Sequence, residues 1–307
     1  MLASPVYTST GSRSFPMPAF WSGTTLIFEE HFDTNSWVQH VLEEQPTYFL
    51  GVPSMFALII ESLSAETLEV LVPPRELIYG GATMPPPLAA RLIKTFPGSG
   101  LRNIYALTES GPTGTMMAPE DAPHRLDTVG RPMTGVSVRI LDPEGHDVPV
   151  GQTGEITFLT EARMTRYLGN EAATRAALDD DGWLRSGDIG KLDEDGFVYL
   201  LDRKNDVILR GGFNVYPAEV EAALVDHPAV REAAVIGVPH TILGEDVRGF
   251  IVLAKGKDVS IEDLKVFCRE RIAGYKVPRQ IEVVDELPRN AMGKILRINL
   301  RDRVAQS

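Results

Sequence analysis

Residues 76–111 read "ELIYGGATMPPPLAARLIKTFPGSGLRNIYALTESG", and this stretch decides how the first half of the chain is built. A short apolar run, ELIYG, stops at paired glycines. A proline-led segment, LAARLIKTF, then carries apolar residues at helical spacing, and a second apolar run, LRNIY, follows a Pro-Gly-Ser-Gly break. Short apolar runs separated by an amphipathic helix are the pattern of parallel strands joined by a crossover. The alternation extends upstream through TTLIF, a helix opened by Asp33 with Trp37, Val41 and Leu42 at helical spacing, TYFLG and SMFALIIESL. Residues 1–124 are therefore expected to be α/β, a partial, mostly parallel sheet covered by helices.

Downstream the texture changes twice. VSVRILD, PEG, GEITFL and then GKL, DEDG, FVYLLD alternate strand with Gly- and Pro-containing turns, which predicts antiparallel hairpins and a small β subdomain over 125–204. After residue 205, Pro217 opens a helix (PAEVEAALVDH), AAVIGV and RGFIVLA read as strands, Ser260 with Asp263 forms a capping box for DLKVFCRERIA, and IEVVD is a last strand. These predict two domains, 1–204 and a separate small α+β domain at 205–307.

Composition excludes several classes of function. Thirty basic against 42 acidic side chains give a net charge of −12, the wrong sign for a general nucleic-acid or anionic-lipid surface. Cys268 is the single cysteine, so no internal disulfide or cysteine metal cluster is expected, and a reducing cytoplasm fits. The six histidines never fall at metal-ligand spacing, and no apolar window is long enough for a membrane span.

Four stretches carry the chemistry: "IYALTESG" (104–111), "GWLRSGDIG" (182–190), "LDRKNDVILRGGFNVYPAEVE" (201–221) and "LPRNAMGKIL" (287–296). In this order they resemble the adenylate-forming, AMP-binding superfamily, and within it the acyl-CoA synthetases. The resemblance implies that a carboxylic acid attacks the α-phosphate of ATP, giving an acyl-adenylate and pyrophosphate, after which the thiol of coenzyme A displaces AMP. Both steps gather negative charge, so they need placed cations, amide donors and magnesium.

Residue by residue, the resemblance implies these roles. Thr108 donates its hydroxyl to a phosphate oxygen and Glu109 helps to hold magnesium, which favours one or two carboxylates plus phosphate and water. Tyr105 stacks on adenine, and Ala106 stands where relatives commonly have glycine. Asp188 takes the ribose hydroxyls; an Asx turn is the competing reading of Ser-Gly-Asp. Arg203 approaches the ribose near the domain boundary, and Gly80, Gly81 and Ala82 line the adenine and acyl site, where local sequence reads only as a tight turn. Gly211 and Gly212 line the tunnel for the pantetheine arm, with a plain turn as the alternative. Lys294 reaches the α-phosphate and the attacking carboxylate, on a small domain that swings about Asn205, where relatives usually carry Asp or Lys.

The family's glycine- and Ser/Thr-rich phosphate loop with its lysine is not found. "WSGTTLIF" (21–28) is a decoy, because Leu26, Ile27 and Phe28 replace glycine and a basic residue and predict a strand. The chain is expected to begin just downstream of that loop, with Pro5, Val6, Tyr7 and Thr8 at the family's Pro-Leu-Phe-His region. Three readings follow: an acyl-CoA ligase using free coenzyme A or a separate carrier protein; an enzyme transferring a preformed acyl-adenylate to coenzyme A; and a non-catalytic relative binding AMP or a partner. An uncovered sheet would favour a homodimer or a complementing chain. The acid is aliphatic or aryl at family level; Met55, Phe56 and Leu58 border its pocket or simply pack in the core.

Overall fold

The structure, a computed structural model, describes residues 1–290 and 293–305. It divides into two compact units, Met1–Leu200 and Leu201–Ser307. The first unit begins with α1 (Pro16–Ser22) and α2 (Thr34–Glu44), then β1 (Tyr48–Gly51), α3 (Pro53–Ser62), α4 (Ala65–Val70), β2 (Glu76–Gly80), α5 (Pro86–Thr95) and β3 (Gly100–Ala106). β1, β2 and β3 run parallel, and β4 (Gly114–Met117) and β5 (Arg131–Pro132) add antiparallel to complete a five-stranded sheet in sequential order. β5 lies beyond residue 124, where the sequence reading ends the sheet; Pro132 suits it to an edge, since proline has no N–H for a further strand.

Local signals account for these boundaries. The Asp33 carboxylate accepts from the N–H groups of Asn35 and Ser36, both at 3.0 Å, and so starts α2. Pro53 and Pro86 occupy first-turn positions of α3 and α5, where their missing N–H costs nothing. The core then forms around Trp37, which meets Phe49 edge-on at 5.6 Å, while Phe49 meets Phe56 at 5.3 Å. Trp37 and Val41, one helical turn apart, are fully buried. Leu42 is 39% exposed, one position round the helix from the buried stripe, and so does not join the core as its spacing suggested. Phe56 is buried in the core, whereas Leu58 faces solvent and is not held by core packing.

The strand expected at TTLIF does not form. Phe28 makes only an isolated bridge to Leu2, with Leu2 N–H donating to Ile27 O at 2.9 Å and Glu29 N–H to Leu2 O at 3.0 Å. A single-residue partner gives β-branched residues no ladder to extend.

A second, four-stranded sheet completes this part of the chain: β6 (Val136–Leu141), β7 (Gly154–Thr160), β8 (Leu184–Leu192) and β9 (Val198–Arg203), in that order, with α6 (Glu171–Ala177) between β7 and β8. The division between the units falls inside β9. The hairpin pattern of the sequence is thus realised, with a register break in β7–β8 between Glu155 and Thr157.

The second unit contains β10 (Ile208–Arg210), β11 (Phe213–Val215), α7 (Pro217–Val225), β12 (Val230–His240), β13 (Gly244–Leu253), α8 (Ile261–Arg269), β14 (Gln280–Val283) and α9 (Arg297–Ala305). Its sheet runs β11-β10-β13-β12, with β14 parallel to β13. AAVIG is continuously apolar because both faces of β12 are covered. Ala233 and Val235 pack with Val220, Leu224 and Leu264, while Ala234 and Ile236 pack with Phe250, Leu287 and Leu300. Ser260 accepts from Asp263 N–H at 3.1 Å and starts α8 as its spacing predicts. Cys268 is buried on that helix and its thiol is pushed up to about 11 by desolvation. The whole is the α/β first half with an α+β second unit that the sequence implies, and no described helix is long and apolar enough to cross a membrane.

Candidate active site

In the first unit the candidate residues gather where parallel strands end. Gly80 closes β2 opposite Ile104 of β3, and a Cβ there would stand 2.6 Å from the Ile104 carbonyl oxygen. Only glycine permits that approach. Gly81 and Ala82 continue outward, exposed. β3 ends at Ala106, and the chain turns through Thr108 and Glu109 without entering a helix, so the pair does not serve as a helix cap. Ser110, fully buried, holds this turn: its Oγ accepts from Leu107 N–H at 3.0 Å and reaches Thr113 O at 2.6 Å. Thr108 is left exposed and Glu109 half-buried.

Tyr105 and Asp188 meet directly. The Tyr105 ring packs on Phe158 of β7 with centroids 5.6 Å apart, and its hydroxyl donates to Asp188 Oδ2 at 2.5 Å. The tyrosine belongs to the first sheet and the aspartate to β8 of the second, so the bond joins the two sheets. Asp188 is 3% exposed. It sits beside the register break, where Ser186 Oγ donates to Ile156 O at 2.6 Å and accepts from Asp188 N–H at 2.9 Å. Within β8 the Ser186 hydroxyl thus closes a local contact with the Asp188 backbone. Sequence assigned Tyr105 a ring function; its hydroxyl contact, 83 positions along the chain, had no local signal.

Glu109 has a partner the sequence reading missed. Tyr167, between β7 and α6, donates its hydroxyl to Glu109 Oε1 at 2.8 Å. Desolvation first, and then the bond to this carboxylate, push the phenol up to about 12, so it is a neutral donor near pH 7. Among the described residues no group of three or more His, Cys, Asp or Glu could hold a metal ion. A lone carboxylate suits magnesium that brings phosphate oxygens and water with it, and does not suit an all-protein cage.

The remaining candidates belong to the second unit, including Arg203 at the end of β9, the strand within which the division falls. Arg203 is exposed and leads into a turn over 204–206; Asn205 does not adopt the positive φ its residue type tolerates. Gly211 and Gly212 form the two-residue turn between β10 and β11, with φ of 59° and 85°, the left-handed pair a tight hairpin requires. Lys294 is exposed on a small closed loop. Its N–H donates to Asn290 Oδ1 and its carbonyl accepts from Asn290 N–H, both at 2.9 Å, while Leu296 N–H donates to Pro288 O at 2.8 Å. Ala291 and Met292 of this motif lie outside the described residues.

A buried charge cluster follows the loop. Arg297 opens α9 with both Glu221 oxygens at 2.7 and 2.9 Å. Asp202, nearly fully buried, accepts from Ala218 N–H at 2.7 Å, and burial pushes its carboxyl up to about 6 against the pull of that bond and of Arg297. Sequence reading passed over both residues.

The AMP-binding enzyme family model matches residues 1–168, and that for the AMP-binding enzyme C-terminal domain matches residues 219–294. The chain belongs to the AMP-binding enzyme family. A fatty acid–acyl-carrier-protein ligase of Streptomyces coeruleorubidus is 37% identical over 291 residues, 92% of this chain and 55% of the relative. A feruloyl-CoA synthase of an Amycolatopsis species is 34% identical over 303 residues, 99% of this chain and 61% of the relative. Among solved structures, the o-succinylbenzoate CoA synthetase of Bacillus subtilis in complex with its acyl-adenylate intermediate is 32% identical. It aligns over 98% of this chain and 60% of its own, with a TM-score of 0.85. The same synthetase with ATP and magnesium gives a TM-score of 0.84 at 32% identity, over 98% of this chain and 61% of its own. The chain thus spans a little over half the length of these relatives.

Proposed function

We propose that this chain acts in an acid–thiol ligase that activates a carboxylic acid as an acyl-adenylate and transfers the acyl group to coenzyme A or a separate carrier protein. A carboxylate oxygen attacks the α-phosphorus and pyrophosphate leaves; a thiol sulfur then attacks the acyl carbon, AMP leaves, and the thiol proton passes to solvent. The observation that carries this reading is the meeting of Gly80–Ala82, Tyr105 with Asp188, and Thr108–Glu109 around the carboxyl ends of β2 and β3. In open parallel sheets ligands bind beyond those ends.

Within this reading Asp188 takes the ribose diol, with one oxygen already oriented by Tyr105, and the Tyr105 ring borders the adenine. Gly80, Gly81 and Ala82 line the adenine and acyl site. Thr108 donates to a phosphate oxygen. Glu109 would hold magnesium, which lowers the charge on the phosphates. The second unit contributes Lys294 for the α-phosphate, Arg203 for the ribose and the Gly211–Gly212 turn for the pantetheine arm. The domain limits proposed are 1–204 and 205–307.

The test separates the two half-reactions. One sample receives acid, ATP, magnesium and coenzyme A, and pyrophosphate is measured; another receives preformed acyl-adenylate and coenzyme A, and thioester is measured. Pyrophosphate in the first sample supports complete catalysis by this chain, and Lys294→Ala is expected to lower its formation roughly 10²- to 10³-fold while sparing thioester formation. Equal loss of both refutes the role given to Lys294. Thioester alone from the unaltered chain would favour the transfer-only alternative, and neither product would favour a binding protein.

A further inference from the structure

We propose that Tyr167 is a positioning residue that fixes the Glu109 carboxylate toward magnesium. The inference rests on the metal role given to Glu109 above. A glutamate two positions into a turn has three side-chain torsions, and an ion that contacts it must first order them. Here the ordering is built in: the Tyr167 hydroxyl holds Oε1 at 2.8 Å.

Both ends of that hydrogen bond are anchored. On the glutamate side, Met164 N–H donates to the Glu109 carbonyl at 2.7 Å, and the hydroxyls of Thr113 and Thr160 lie 3.0 Å apart. These contacts sew the segment after β7 onto the turn after β3. On the tyrosine side, Tyr167 N–H donates to Thr174 Oγ1 at 3.0 Å, and that hydroxyl donates to Asn170 O at 2.9 Å. Asn170 caps α6 through Ala173 N–H at 3.0 Å, so the tyrosine hangs from the first turn of a helix. A phenol on two torsions is stiff enough to transmit this placement to its partner.

The type of donor matters as much as its position. A lysine or arginine at this distance would cancel the charge of Glu109 and compete with a cation. A neutral hydroxyl occupies one lone pair and leaves the carboxylate its full charge and its other acceptor sites. Arg163, in the same segment, turns instead to Thr160 O at 3.0 Å. Partners that orient a metal ligand are typically worth 10- to 100-fold in metal affinity.

The test uses the full chain with ATP and Mn²⁺ as a paramagnetic stand-in, reading bound cation by electron paramagnetic resonance, with AMP affinity in the absence of metal measured alongside. Tyr167→Phe, which deletes one oxygen, is expected to weaken Mn²⁺ binding about tenfold while AMP affinity stays unchanged. Glu109→Gln is expected to weaken Mn²⁺ at least as much, and adding Tyr167→Phe to it should change nothing further. If Glu109→Gln weakens the cation and Tyr167→Phe does not, the positioning role is overturned while the metal role stands. If Glu109→Gln leaves the cation unaffected, or the unaltered chain binds none, the metal role itself fails. Equal loss of Mn²⁺ and AMP binding in Tyr167→Phe would reduce the residue to a general structural part and overturn the proposal.

Discussion

A phenol–carboxylate contact of 2.5 Å holds Tyr105 to Asp188, and the aspartate is almost out of solvent. Hydrogen bonds to charged groups contribute about 1.5–3 kcal/mol. Tyr105→Phe should therefore lower unfolding free energy by about 1–3 kcal/mol in urea titrations, with little change in far-UV circular dichroism. Asp188→Asn should weaken AMP binding roughly tenfold by calorimetry, since a neutral amide forms weaker bonds to a diol than a carboxylate; unchanged affinity would remove Asp188 from the ribose role. Asp202 gives a pH prediction. Its folded carboxyl lies near 6 against an ordinary 3.8, so the folded chain keeps a proton that the unfolded chain has lost. Stability then falls as pH rises from about 4 to 6, by up to roughly 3 kcal/mol, and the loss persists above that window. Asp202→Asn should flatten the pH dependence of the second unit's melt; an unchanged slope would place the effect elsewhere. Residue types with a motif around them, such as Thr108, Glu109, Asp188 and Lys294, could be singled out from sequence. Their partners could not, because Tyr167 and Glu109 are 58 positions apart and meet only once two sheets have packed.

At the scale of elements, what could be read was whatever a short window determines. Asp33 and Ser260 start helices because their caps involve only the next three residues, and Gly211–Gly212 makes a hairpin because two adjacent positive φ values suffice. What could not be read depends on what lies alongside. TTLIF has the composition of a strand but finds only Leu2 as a partner, and Leu42 has helical spacing but falls off the buried stripe. β5 was missed because two residues carry no period. Gly80 marks a close element contact at the candidate site, and Gly80→Ala must push β2 from β3 at the Ile104 carbonyl. Such overpacking should cost about 1–3 kcal/mol, read as a lower urea midpoint, together with weaker AMP binding. A neutral result would show that the strand ends yield easily.

Over the whole molecule, each unit has its own core, built on Trp37, Phe49 and Phe56 in the first and on Val220, Val235, Leu264 and Ile251 in the second. Trp21, Trp37 and Trp183, all the tryptophans present, belong to the first unit. Indole fluorescence should therefore follow the first unit alone, while far-UV circular dichroism follows both. A separately expressed 201–307 segment is expected to melt cooperatively by circular dichroism, and a non-cooperative melt would show that its core is insufficient. The division into an α/β half and an α+β half was legible because the spacing of apolar residues changes along the chain. Cys268 adds a practical consequence. With its sulfur sealed inside α8 packing and its acidity suppressed, the native chain should stay nearly inert to maleimide while folded. Two cysteines engineered at exposed positions would then take a pair of spin probes at those addresses alone, giving a background-free ruler for following the distance between them as ligands are added.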